Sequence, residues 1–376
     1  MRTCDLRWRL SEPGVIANGA GGVVKSGFSG PRCERDAEAE HSRLGSEPGR
    51  GDCPASGSRP ERGPERRDFG TKRLAMTELA FLGKIVGLSL ALLAGTLSVA
   101  EAGAGPEGGH LFIIGGGRRG PELMKEYVRL AGGPEHASIL VLPMASGDGD
   151  TTGREMAEEF RGLGVQTARS LFITREQAMT PGIIEQFKDV TGVYFTGGDQ
   201  ARITRELVGT PVQDKLKELY HSGAVIGGTS AGAAVMSAVM LTGDERLNRD
   251  TVNGFVFIKR DNIVVTEGLG FLTTVIVDQH FIRRKRMNRL ISVVLEHAPH
   301  VGVGIDDATA VIVSPDSTFR VMGSGSVMVL DASQSVNVRN DTRGNLGADG
   351  LRIHILLDGD GFDMRKLAPL PGGAPR

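Results

Sequence analysis

After residue 105, short continuous apolar runs alternate with stretches of helical period. His110–Ile114 (HLFII) ends at Gly115-Gly116-Gly117, and Ser138–Leu142 (SILVL) ends at Pro143-Met144-Ala145-Ser146. Gly192–Phe195 (GVYF) ends at Thr196-Gly197-Gly198-Asp199-Gln200, and Ala224–Ile226 (AVI) ends at Gly227-Gly228-Thr229-Ser230. A weaker run covers Val165–Ala168. Between these runs, the periodicity predicts helices near 121–131, 151–162, 181–188, 201–208 and 211–221. Strands apolar throughout, with helices between them, predict an α/β domain whose mostly parallel sheet is covered on both faces. Ligand sites in such sheets lie beyond the carboxyl ends of the strands, where all of these polar, Gly-rich tails fall. Beyond residue 300 the chain turns strand-rich (Val301–Ile305, Ala310–Val313, Phe319–Met322, Ser326–Leu330, Ile353–Leu357), which predicts a terminal antiparallel extension.

Composition changes this picture mainly at the amino-terminal end. Across 376 residues, 44 Lys and Arg balance 45 Asp and Glu, excluding a generally basic nucleic-acid binder and an acidic disordered chain. Aromatic residues make up only 5%, so aliphatic side chains must fill the core. Residues 1–75 hold all three cysteines (Cys4, Cys33, Cys53) and the one tryptophan, Trp8, with 14 basic against 11 acidic residues and no apolar period. Such a stretch cannot offset its chain entropy by burial. It is read as a disordered arm or linker, or as translation from a start placed too early, Met76 being the natural one. From Met76, a short region ending at Lys84 precedes the charge-free Ile85–Ala100, and Ala100-Glu101-Ala102 and Ala102-Gly103-Ala104 both have the A-x-A form of a cleavage site. That is the pattern of an export signal over 76–104; the apolar stretch is shorter than the ~20 residues of a membrane span. A stretch long enough for one large α/β domain, 105–376, remains, with net charge −3 and no cysteine. Cysteine nucleophiles and Cys-ligated zinc are thereby excluded from it.

The sharpest local chemistry is AVIGGTSAGAAVMSA, where a buried strand meets a turn of small residues and Ser230 immediately precedes a predicted helix, Ala231–Ala238. Small residues permit the strained strand-to-helix turn that pushes a nucleophilic hydroxyl out of a sheet, and amides at a helix start can hold an oxyanion. The competing reading is a helix N-cap. Among His110, His136, His221, His280, His297, His300 and His354, only His280 lies at the end of an apolar strand (TVIV) within a polar triplet, Asp278-Gln279-His280. Val301–Ile305 leads likewise to Asp306-Asp307, either of which can orient an imidazole. A basic helix is predicted over Ile282–Leu295, with Met287, Leu290, Ile291 and Val294 as its buried stripe and Arg286 and Arg289 neighbours on one flank. Guanidinium groups there suit carboxylate recognition. No H-E-x-x-H or cysteine cluster points to a metal, and no cofactor motif is present.

FTGGDQARI (195–203), GGTSAGA (227–233), GLGFL…VIVDQHFIRRKRMNRLI (268–291) and GVGIDDATA (302–310) together resemble cyanophycinase, peptidase family S51, related to peptidase E, an aspartyl dipeptidase. The resemblance spans about 110–330. It implies a three-layer α/β/α fold similar to class I glutamine amidotransferases, with serine in place of their cysteine. It implies Ser230 as nucleophile, His280 as general base and Asp307 as triad acid, at a position where the family usually has Glu. The amides of Gly198 and Ala231 would form the oxyanion hole, and Gln200, Asp278, Gln279, Arg284, Arg286 and Arg289 the substrate pocket, with Asp199 or Asp278 meeting a substrate guanidinium. The implied substrate is cyanophycin, polyaspartate bearing arginine on its β-carboxyls, released as β-Asp-Arg dipeptides. No nucleic-acid partner or membrane anchor is implied after signal cleavage, and a homodimer is. The alternatives are an exopeptidase acting on short Asp-containing peptides and a non-catalytic pseudo-peptidase, the latter supported by the Glu-to-Asp change.

Overall fold

A computed structural model describes residues 108–247 and 254–371; the readings of 1–75 and 76–104 lie outside the described residues. The predicted apolar runs form β1 (Leu111–Ile114), β2 (Ser138–Leu142), β3 (Thr167–Ser170), β4 (Gly192–Phe195) and β5 (Val225–Thr229). These five pair in parallel, in the order β1-β5-β4-β2-β3. The helices are α1 (Pro121–Leu130), α2 (Gly149–Gly162), α3 (Arg175–Ala178), α4 (Gln200–Leu207), α5 (Pro211–His221), α6 (Ala231–Ala234) and α7 (Met287–Glu296). The helix predicted near 181–188 is a 3-10 helix, Pro181–Phe187, with Pro181 at its start.

The later strands form the expected antiparallel carboxy-terminal region but correct the expectation of a mostly parallel sheet, because part of that region joins it. They are β6 (Val239–Glu245), β7 (Ile263–Glu267), β8 (Val275–Gln279), β9 (Val301–Ile305), β10 (Thr309–Val313), β11 (Thr318–Gly323), β12 (Val327–Asp331), β13 (Val336–Asn340), β14 (Leu346–Asp349), β15 (Arg352–Leu356), β16 (Gly361–Asp363) and β17 (Ala368–Pro369). β10 pairs antiparallel with β1, and β11, β16 and β17 follow, so the nine-stranded sheet is mixed rather than mostly parallel. Residues 306–308 carry the chain from β9 to β10, which lie in different sheets. β8, β9, β12 and β15 form a second sheet, in which β8 and β9 run parallel. β6 and β7 make a separate two-stranded arm.

Alternation along the strands sorts the core into layers. On one face of the large sheet, Phe112, Ile139 and Tyr194 pack with Tyr127 of α1 and Phe160 of α2. On the other, Ile113, Leu140 and Phe195 pack with α4, α5, α6 and with Val275, Val277 and Val303 of the second sheet. Ile276 and Met328 point away to meet Leu290 and Val294 of α7. Because β8 is covered on both faces, it can carry a buried polar terminus, Asp278-Gln279, to the edge where β5 ends.

Candidate active site

β5 is fully buried and hydrogen-bonded on both sides, so its end is fixed relative to β1 and β4. Ser230 follows at φ 54° and ψ −107°, with its amide donating to the Ile114 carbonyl at 3.0 Å. A non-glycine residue at positive φ carries strain, and the surroundings have to hold it there. Small neighbours make this possible. A Cβ on Gly228 would lie 2.6 Å from the Gly232 carbonyl oxygen, and one on Gly232 would lie 2.4 Å from that of Phe195. The predicted helix Ala231–Ala238 is reduced to one turn, α6, because the following backbone finds other partners. The Val235 and Met236 carbonyls accept from Leu269 and Leu272, and the Ala238 amide donates to the Leu272 carbonyl.

Ser230 Oγ lies 2.9 Å from His280 Nε2. On the far side of the ring, Nδ1 meets the Asp307 carboxylate. Asp306 is engaged elsewhere, accepting from the Arg283 amide at 2.9 Å, so the geometry separates two acids that the residue pattern alone left equivalent. The loop Gly115-Gly116-Gly117 holds the imidazole and the acid together. The His280 amide donates to the Gly115 carbonyl at 2.8 Å and the Ala308 amide to that of Gly116 at 2.9 Å. A Cβ on Gly116 would sit 2.3 Å from His280 Cε1, and one on Gly117 would sit 2.8 Å from Asp307 Cγ. This close backbone approach lets an aspartate reach the ring despite being one methylene shorter than glutamate. Phe281 contributes from below: its ring lies where a Cβ on Gly304 would be, 2.4 Å from Cδ1. The sequence reading gave the three glycines no role, although their run directly after a buried strand was the available signal.

The other predicted site residues fall into distinct places. Gln279 is buried with Oε1 3.5 Å from Ser230 Oγ, and Arg286 Nη1 donates to that Oε1 at 2.8 Å and to the Gln279 carbonyl at 2.7 Å. Arg286 therefore fixes the carboxamide beside the serine rather than opening to solvent. Arg289 and Asp278, 1% and 0% exposed, satisfy each other in a two-point ion pair, Nε to Oδ2 at 2.7 Å and Nη2 to Oδ1. Arg289 also lies over the Phe255 ring, 4.6 Å from its centroid. Both were expected in the substrate pocket; the buried ion pair instead withdraws them from it. Arg284 is exposed. The predicted helix over Ile282–Leu295 begins only at Met287, because Lys285 adopts φ 54° and breaks the helical run. Of its expected stripe, Leu290 and Val294 are buried while Met287 and Ile291 are only half-buried. Gln200 is buried, with Nε2 donating to the carbonyls of Leu241 (2.9 Å) and Thr242 (2.6 Å), so it ties the start of α4 to β6. Asp199 is exposed and caps α4 by accepting from the Ala201 amide at 2.8 Å. Gly198, at φ 140°, presses on the Ala145 carbonyl, where a Cβ would lie 2.1 Å away.

Burial holds the His280 pKa below its ordinary value; the Asp307 hydrogen bond opposes this, and the charges of Arg284 and Arg286 reinforce it. The imidazole is thus neutral at pH 7, the form that can take a proton. Burial and the adjacent Arg289 push Arg286 down to about 9, still charged at neutral pH. A hydroxyl on a strained turn, a neutral imidazole and a carboxylate, in hydrogen-bonded sequence, have the composition of a serine-type hydrolase centre.

Comparison with known proteins agrees with that class. The family model for peptidase family S51 matches residues 111–321. The chain is 35% identical over 269 residues to the cyanophycinase of Synechococcus elongatus, covering 68% of this chain and 80% of that one. It is 34% identical over 272 residues to the cyanophycinase of Trichormus variabilis, covering 69% and 87%. The crystal structure of a peptidase from an acI-B1 Actinobacterium shares the fold at a TM-score of 0.51 and 23% identity, over 69% of this chain and 98% of that one. The protein belongs to peptidase family S51 and is a serine-type peptidase.

Proposed function

We propose that the protein is an exported cyanophycinase, which cuts the polyaspartate backbone of cyanophycin and releases β-Asp-Arg dipeptides. Ser230 Oγ attacks the carbonyl of an aspartyl unit as His280 Nε2 takes its proton, and Asp307 holds the ring through Nδ1. The amides of Gly198 and Ala231 receive the developing oxyanion; Ala231, as the first residue of α6, has no intrahelical acceptor for its N–H. Collapse expels the amine, which takes the proton from Nε2, and water then cleaves the ester by the same route in reverse. Gln279, locked by Arg286, presents its amide to the substrate beside the nucleophile, and exposed Arg284 attracts substrate carboxylates.

The observation that carries this reading is the 2.9 Å hydrogen bond from Ser230 to an imidazole already engaged by Asp307. The same contact argues against the pseudo-peptidase alternative, since the shorter aspartate reaches the ring. The choice of cyanophycin is supported by the named relatives in Synechococcus elongatus and Trichormus variabilis. In the test, Ser230→Ala is incubated with purified cyanophycin and the products are weighed by mass spectrometry. The variant should melt as the parent does and release no dipeptide; dipeptide release at the parental rate overturns the assignment.

A further inference from the structure

Beyond the triad, an open groove of about 610 Å³ lies between α4 and the β6–β7 arm. This is within the range of about 300–1,000 Å³ over which pockets hold small-molecule ligands. Its apolar lining is Val208, Val264 and Val265, all half-buried, and exposed Arg175, Arg205 and Glu267 give it charge of both signs. Glu267 has no ion-pair partner among the described residues, while exposed Arg205 meets its half-buried chain neighbour Glu206 through Nε and Nη2, each at 2.9 Å. Arg205 Nη1 takes no part in that pair, which leaves the exposed side of the guanidinium for a ligand carboxylate.

The groove adjoins the candidate active site through one residue. Gln200, the first residue of α4, bonds the carbonyl of Thr242, and Thr242 and Ala201 both line the groove. Three residues earlier, Gly197 packs on the nucleophile: a Cβ there would lie 3.5 Å from Ser230 Cβ. The turn 197–200 thus has Ser230 at one end and the groove at the other.

We propose, on the basis of the cyanophycinase reading, that this groove binds the neighbouring units of an extended substrate, each carrying one carboxylate and one guanidinium. Arg205 takes a carboxylate, Glu267 takes a guanidinium, and the valines cover the arginine methylenes. Chain length, as well as the bond cleaved, then sets the substrate class, and the enzyme prefers polymer to its shortest fragments.

The test measures kcat/KM of the full chain on synthetic β-Asp-Arg oligomers of two, three and four units. Wild type should gain about tenfold from two units to four, and Arg205→Glu and Glu267→Arg should each lose about tenfold on four units, with a loss that shrinks as the chain shortens. Thermal melting checks that the variants are folded. Equal wild-type kcat/KM at every length, or variants whose loss is the same at every length, overturns the groove. Labelling of Ser230 by a phosphonate without cleavage of any oligomer overturns the cyanophycinase reading, and the groove proposal with it.

Discussion

At Ser230, backbone strain and side-chain function are the same fact. A residue held at φ 54° and ψ −107° projects its hydroxyl away from the sheet, and glycines at 228 and 232 leave room for the turn. The small residues on either side of Ser230 made this legible in the sequence; the loop opposite was not, because a run of glycines does not say what it lies against. Gly116→Ala tests that loop. With a Cβ 2.3 Å from His280 Cε1, the ring must shift, and misplacement by about 1 Å costs about 100-fold in kcat. A lowered melting temperature, from a non-glycine residue held at φ 123°, together with reduced turnover of the still-folded variant is the expected outcome. The proposed role of His280 as base predicts a pH effect. Burial lowers the His280 pKa and Arg284 adds to the lowering, so protonation removes the base only below the ordinary histidine range. Arg284→Gln removes a positive charge, which makes the imidazolium easier to form and raises the pKa. The acid limb of kcat/KM against pH should therefore move to higher pH in the variant. Added salt should move the wild-type limb the same way, because Arg284 is exposed and screenable.

At the scale of elements, β8 and α7 work as a unit. The strand ends in Asp278-Gln279-His280, and the segment after it returns Arg286 and Arg289 onto the same polar residues. A basic run beside a histidine looked like a carboxylate grip in the sequence, but one of those guanidinium groups is consumed by Asp278 and another by Gln279. Periodicity cannot show this, since an arginine facing a buried aspartate and one facing solvent occupy the same kind of position. Asp278→Leu alone leaves Arg289 buried without a counterion and should cost about 3–5 kcal/mol in denaturant unfolding. Adding Arg289→Met should recover most of that stability, since a buried ion pair can be replaced by apolar side chains at little net loss. Activity should stay low in the double variant, because Arg286, 3.9 Å from Asp278, loses the carboxylate that faces it.

For the whole molecule, the large sheet brings β1 and β5 together at its centre, and the second sheet delivers β8 and β9 to the same edge. The loop after β1 and the ends of β5, β8 and β9 supply the glycine loop, serine, histidine and aspartate in turn. The export reading also belongs to this scale. If residues 76–104 are a cleaved signal, protein recovered outside the cytoplasm of a bacterial host should begin at residue 103–105, as read by amino-terminal sequencing. An intact start upstream of Met76 in that fraction contradicts it. No helix among the described residues is long and apolar enough to cross a membrane.

The sequence by itself determined the α/β class and pointed to Ser230 and His280 as the proposed nucleophile and base, because each depends on short-range pattern: period, small residues and the polar end of an apolar strand. Tertiary structure decided the mixed sheet, the choice of Asp307 over Asp306, and which arginines remain accessible. Those outcomes depend on pairings between segments far apart in the chain, where direction and distance arise only once the sheets have packed.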